Sequence, residues 1–377
     1  MTFSRWWVIA GALLLAVPAA AQEQPAAPQD QATKNAAPKN QAPQEKTPQE
    51  KTPAKKLNPL LENCLKPADT EDTVVACTTA IESRQLQGEE LAAALFRRGI
   101  IQGRRGQGTA AANDFSSALK QTPDATDVLY ARAAIYGAMK RHDLAIGDYD
   151  HILKLVPGDP DSLNRRAWSK AALGRDQAAI DDLTALLKVS KDDVDALMDR
   201  GGLFLRQGKF AEAAADFGAI VKLEPKSAAA FYNRGRANFL KGDFKAAVKD
   251  FADAERFREN NPYAALRRYL ALAQGGAKAD GKILDEVMAK FPADQWPLPV
   301  LATIRGQVAE KDLLAATTVR DPNVARRLAA EAHYYLGEAA LLRKDAKSAR
   351  AHFDAAKDGD RNLPEAIDAG WRQKQLP

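Results

Sequence analysis

The 377-residue sequence predicts an all-α fold, a solenoid of stacked helix hairpins, and two observations carry that prediction. The first is an internal period. Arg98, Arg132, Arg166, Arg200 and Arg234 stand 34 residues apart at every step, each followed by Gly or Ala. The second is the pattern inside each period. Ala111, Ala145, Ala179, Ala213 and Ala247 recur in phase, with Asp114, Asp148, Asp182, Asp216 and Asp250 three residues later. Phe115, Tyr149, Leu183, Phe217 and Phe251 come next. Small residues let paired helices approach closely, and a bulky one fills the gap toward the next unit, so each unit needs its neighbours to complete a core. Pro123, Pro157 and Pro225 mark unit boundaries, with Lys191 in the third. Proline is tolerated only in the first turn of a helix, so it ends one hairpin and opens the next.

The elements before the repeats follow in order. Residues 1–21 read as a secretory signal peptide: one cation at Arg5, an apolar stretch from Trp6 to Val17, and Ala19-Ala20-Ala21 ahead of a cut before Gln22. The apolar run falls short of the roughly 20 residues that span a bilayer. No cysteine follows it at a lipidation position, so a periplasmic or secreted chain without a stable membrane anchor is expected. Residues 22–56 are rich in Pro, Gln, Ala, Lys and Glu, and QEKTP occurs twice in tandem at 44–53. Such a segment buries too little apolar surface to offset its ordering entropy, and a disordered linker is expected. Residues 57–90 read as a degenerate capping hairpin with one cysteine, Cys64 or Cys77, on each helix. In an oxidising compartment these two form a disulfide, which stabilises by about 3 kcal/mol on the loop-entropy estimate.

Residues 91–260 resemble five tetratricopeptide repeats, which implies a right-handed solenoid. Each hairpin then brings an arginine and an aspartate together: Arg98 with Asp114, Arg132 with Asp148, Arg166 with Asp182, Arg200 with Asp216, and Arg234 with Asp250. An anion-binding rail of five arginines is the other reading of that column, and the in-phase aspartates favour structural pairs. The resemblance also implies that the first helix of each hairpin, helix A, lines a concave surface. In that register the candidate binding groove is Tyr130, Asp161, Asn164, Trp168, Asp195, Met198, Tyr232, Arg236 and Phe239. Aromatic and polar groups together suit a peptide or a helix.

Residues 261–328 read as an irregular helical connection, with helices at 262–272, 278–291 and 298–305. Residues 329–377 return to the repeat pattern and end in a solvated helix from 363 to 375. Trp296, Pro297, Leu298, Gly306, Leu313, Leu314, Tyr335, Leu336, Gly337, Asp345, Ala349 and Phe353 make this part similar to the bacterial NlpI-type tetratricopeptide lipoproteins. That resemblance implies a non-catalytic envelope adaptor, often a homodimer, that brings peptidoglycan hydrolases together with a processing protease. The missing lipidation cysteine, the long linker and the Cys64/Cys77 cap depart from the family. Two further readings stand beside the adaptor: an envelope-assembly or export factor that holds clients in the groove, and a direct peptidoglycan or polysaccharide binder.

Other classes find little support. Lys plus Arg total 54 against 49 Asp plus Glu, a net charge of +5, too small and too diluted for a nucleic-acid partner. His142, His151, His333 and His352 lie apart from acids at ligand spacing, with His142 and His151 expected at the surface, so no metal is expected. The Gly-rich stretch 101–108 is a turn between helices and not a phosphate loop, and no cofactor or catalytic residue is assigned.

Overall fold

The computed structural model describes residues 57–258, 261–277, 279–358 and 363–376. The signal peptide expected at 1–21 and the linker expected at 22–56 lie outside them. The elements are all α-helical, helix–turn–helix repeats of the right-handed solenoid class, and the chain divides between Leu155 and Val156 into two compact units.

The first unit holds α1 (Pro59–Cys64), α2 (Glu71–Glu82), α3 (Gly88–Arg104), α4 (Gly108–Gln121), α5 (Thr126–Ala138) and α6 (His142–Leu155). Asn58 caps α1 by accepting from the Leu60 amide, and Pro59 sits in the first turn, where its missing N–H costs nothing. Thr70 caps α2. A disulfide joins Cys64 to Cys77 across this pair, buried among Leu61, Ala80, Leu86 and Ala94. Helices α3 to α6 form two hairpins around Phe115 and Tyr149. His142, expected at the surface, is instead buried at the start of α6.

The second unit continues with four helices in hairpin order, α7 (Pro160–Ala172), α8 (Asp176–Val189), α9 (Val194–Arg206) and α10 (Phe210–Leu223). Next come α11 (Ala228–Lys241), α12 (Phe244–Phe257), α13 (Pro262–Gln274) and the short α14 (Lys282–Met288), α15 (Leu298–Ile304) and α16 (Glu310–Ala316). It ends with α17 (Pro322–Leu342), α18 (Ala346–Lys357) and α19 (Pro364–Lys374). Carboxylates and amides start many of these helices: the side chains of Asp159, Asp193, Asp243, Asn261, Asp321 and Asp345 each accept from a first-turn amide.

The bulky ring packs on the small residue of its own hairpin and shares a core cluster with the next helix. A Cβ placed on Gly99 would lie 2.6 Å from the Phe115 ring, on Gly201 2.7 Å from Phe217, and on Gly235 2.8 Å from Phe251. Gly337 repeats the arrangement with Phe353 at 2.5 Å.

A left-handed residue closes the turn between helices at Gly106, Lys140, Gly174, Gly208, Gly242 and Gly276, again at 34-residue steps. The period therefore runs one helix past residue 260: α13 packs on α12 as a further A helix, and α14 follows as its short partner.

The terminal helix is the largest departure from the sequence reading. Far from being solvated, α19 buries Glu365, Ala366, Asp368, Ala369 and Arg372 against α17, α18 and α11. Its many charges read as a water-facing surface, yet they meet opposite charges on the A helices.

Candidate functional site

The five hairpins from α3–α4 to α11–α12 each carry a bidentate ion pair. In the first unit, Arg98 donates to Asp114 at 2.8 Å from both Nε and Nη2, and Arg132 to Asp148 at 2.9 and 2.6 Å. In the second, Arg166 meets Asp182 at 2.9 and 2.6 Å and Arg200 meets Asp216 at 2.8 and 2.7 Å. Arg234 reaches Asp250 at 2.6 Å through Nη2. The aspartates are buried and the arginines half-buried. The remaining guanidinium nitrogen reaches the preceding hairpin: Arg98 to Thr78, Arg132 to Ser116, Arg200 to Thr184. Asp114 and Asp148 lift Arg98 and Arg132 above the ordinary arginine range through these hydrogen bonds. The column braces hairpins and leaves no rail of uncommitted cations.

The residues assigned to the groove divide into two groups and one outlier. Tyr130 lies in the first unit, edge-on to Tyr149 at 5.9 Å. In the second unit, Asp161 and Asp195 are exposed, Asn164 and Met198 half-buried, and Trp168 is 56% exposed. Met198 accepts from Asn233 at 3.5 Å. Asp199 is held above the usual carboxylate range by loss of hydration and then by Asp195 and Asp193. Tyr232, half-buried, and Arg236 and Phe239, both buried, form the other group. Tyr232 packs edge-on to Phe251 at 5.7 Å, while Arg236 is 6% and Phe239 2% exposed.

Helix α19 covers Arg236 and Phe239. Arg236 donates to Asp368 at 2.8 Å and to the Pro364 carbonyl at 3.3 Å. Arg267 on α13, 2% exposed, donates to Glu365 at 3.0 Å and pairs with Asp368 at 2.9 Å. Its guanidinium also lies 5.7, 5.0 and 5.7 Å from the ring centres of Tyr232, Tyr334 and Tyr335. Arg372 of α19 donates to Glu338 at 2.7 Å and lies over Phe239 at 5.3 Å. At the far edge, Trp371 packs edge-on to Phe210 at 5.7 Å and lies against Gly208. Gly208 has φ +73°, and a Cβ there would lie 2.5 Å from the indole, so both the turn and the ring need glycine. Burial opposes the charge on Arg236, Arg267 and Arg372, and the surrounding carboxylates and tyrosines still hold all three raised.

Sequence reasoning missed Arg267, Glu365, Asp368 and Arg372. One signal was available: Glu365, Asp368 and Arg372 fall on one helical face, and Arg267 interrupts the apolar run of α13.

Two smaller clusters sit beside this one. Glu331 accepts from Trp296 Nε1 at 2.7 Å and from Tyr263 at 2.9 Å. Burial and then Glu365 push its carboxyl up, against those two hydrogen bonds. His333 and His352 face each other through Nδ1 atoms 3.1 Å apart, and His352 Nε2 reaches Glu310 at 3.1 Å. Burial and then His352 lower His333. Among the described residues, no group of three or more His, Cys, Asp or Glu could hold a metal ion, and no helix is long and apolar enough to cross a membrane.

Comparison with known proteins supports the repeat pattern. A family profile described as Tetratricopeptide repeat matches residues 90–160, 164–217, 199–265 and 305–366. No curated protein matches the chain. Among solved structures, a tetratricopeptide repeat protein from Parabacteroides merdae is 16% identical, with a TM-score of 0.50, and covers 76% of this chain and 99% of its own. The C-terminal part of a repeat protein from Cytophaga hutchinsonii is 17% identical, with a TM-score of 0.47, covering 73% and 98%. YrrB, described as having an unusual peptide-binding site, is 19% identical at a TM-score of 0.44, covering 52% and 97%. At 16% identity the Parabacteroides merdae likeness speaks to the fold alone.

Proposed function

From the premise that the chain belongs to the tetratricopeptide repeat family, a non-catalytic protein-interaction fold, we propose that it is an adaptor of the bacterial cell envelope. On this reading it is exported to the periplasm and binds envelope proteins, among them peptidoglycan hydrolases or a processing protease. The observation that carries the binding role is the A-helix face of the second unit, where Asp161, Trp168 and Asp195 stand exposed on successive A helices. An aromatic ring supplies contact area at little entropic cost, and the carboxylates select polar or basic groups on the partner.

The compartment rests on the leader at 1–21 and is supported by the Cys64–Cys77 disulfide, a bond that persists in oxidising compartments. The partner class rests on the NlpI-type order of residues between Trp296 and Phe353. The test is affinity purification of the mature chain from crosslinked envelope, with the crosslinks mapped by mass spectrometry. The adaptor reading expects one abundant folded hydrolase or protease, crosslinked within 160–240 or 296–356. A spread of unrelated clients would overturn it in favour of a holding factor, and recovery of wall fragments alone in favour of a polysaccharide binder.

A further inference from the structure

The terminal helix is seated differently from the repeat helices it touches. A repeat helix such as α12 buries a large ring, Phe251, along with Ala247, Asp250 and Ala254. Of the five residues that α19 buries, three are charged and two are alanines. Buried ion pairs return in Coulomb attraction about what they lose in hydration. Its apolar contacts come from Ala366 and Ala369, half-buried Ile367 and Leu376, and Trp371 at the edge, with no large ring fully buried. Helix α19 is therefore positioned chiefly by charge pairs.

The surface beneath it has the opposite character. Arg236 and Arg267 stand together under one carboxylate, Asp368, within a wall of Tyr232, Tyr334 and Tyr335. Arg267 Nε and the Tyr335 hydroxyl are buried there without a hydrogen-bond partner, so the site has donors to spare. Two guanidinium groups at fixed separation, lined by rings, read two carboxylates at matched spacing. Here those carboxylates are Glu365 and Asp368, three residues apart on one helical face, with Trp371 three residues further on.

We propose that this end of the A-helix face is a binding site for a helix of another protein carrying the pattern Glu-x-x-Asp-x-x-Trp, and that α19 is its built-in occupant. The partner must displace α19, so the affinity seen from outside falls by the fraction of time the site is open. This deepens the adaptor reading by giving the partner's chemistry. Its test uses the purified chain alone, so it stands or falls separately from recovery of any envelope protein.

The experiment uses the full chain with a protease site inserted after Asp358, and the probe is a fluorescent peptide of residues 363–376. After cleavage the segment is expected to exchange with the probe, and binding to strengthen on the order of 10-fold or more over the uncut chain. A probe carrying Asp368→Lys should not compete. A segment that never exchanges, or whose departure unfolds the second unit, would show that α19 is part of the core and overturn the proposal. The second measurement needs no cleavage. In the uncut Asp368→Lys chain, repulsion from Arg236 and Arg267 frees the helix, and the unaltered probe is expected to bind with helical content retained. Failure to bind, or loss of helical content, would likewise overturn it.

Discussion

In the repeat hairpins each arginine reaches a carboxylate 16 residues ahead, whereas Arg236 and Arg267 reach carboxylates 132 and 98 residues away. The first set stitches two helices already joined by a short turn. The second set draws a terminal helix back across α11, α13 and α17. The difference is also one of exposure: Arg98 to Arg234 keep a part of themselves in water, while Arg267 has almost none. A half-exposed pair adds a modest local brace. A buried cluster adds specificity at little net gain, because each charge has left its water behind. Arginine–carboxylate pairs thus hold the hairpins shut in one region and dock a terminal helix in the other.

The largest effect expected is in the hairpin core. Phe251→Ala removes a fully buried ring seated on Gly235 and should cost about 3–5 kcal/mol, read as a shift of the urea midpoint. A cost below about 1 kcal/mol would mean that the ring is not what closes the hairpin. Next, Arg234→Ala leaves Asp250 buried with Asn238 as its remaining side-chain partner, and should cost about 1.5–3 kcal/mol in the same measurement.

Arg267→Met sharpens the comparison. Breaking a buried pair ordinarily costs about 3–5 kcal/mol. Here Glu365 and Asp368 can regain water if α19 undocks, so the loss is capped at whatever holds the helix down. The expectation is free mobility of residues 364–374 by NMR with the unfolding midpoint of the rest nearly unmoved. A full 3–5 kcal/mol loss of global stability would place Arg267 in the core and erase the distinction between the two regions.

The smallest effect is a pH dependence in the last hairpin. His333 is lowered when folded, so the unfolded chain takes up its proton first as pH falls through the ordinary histidine value of 6.5. Stability is therefore lost on acidification below about pH 6.5, because burial of His333, and then the facing His352, oppose its charge. Melting curves at pH 7.5 and 5.5 should show a smaller drop for His333→Asn than for the unaltered chain. Equal drops would assign the acid sensitivity elsewhere.

How much of this the sequence disclosed follows the same divide. Period, small residues and the Arg and Asp columns are local, repeated at one interval, and so legible in a single chain. The period even marks where it fails: Leu336 and His352 occupy the Arg and Asp positions of the last hairpin, where a histidine pair replaces the brace. The cluster around Arg267 is not periodic. Its members come from α11, α13, α17 and α19, and nothing in their spacing says that they meet. A short helix rich in charge reads as solvated unless its countercharges are known, which is why Glu365 and Asp368 went unrecognised. For the same reason Arg236 and Phe239 read as open groove positions, while Asp161, Trp168 and Asp195 remain exposed in the structure.

The most direct measurement is native-state hydrogen exchange on the full chain, comparing amides of residues 364–374 with those of 244–257. The terminal helix is expected to exchange through an opening far cheaper than unfolding, and α12 only when its unit unfolds. Equal protection in the two helices would contradict it, since α19 would then be as much a part of the core as the hairpins it covers.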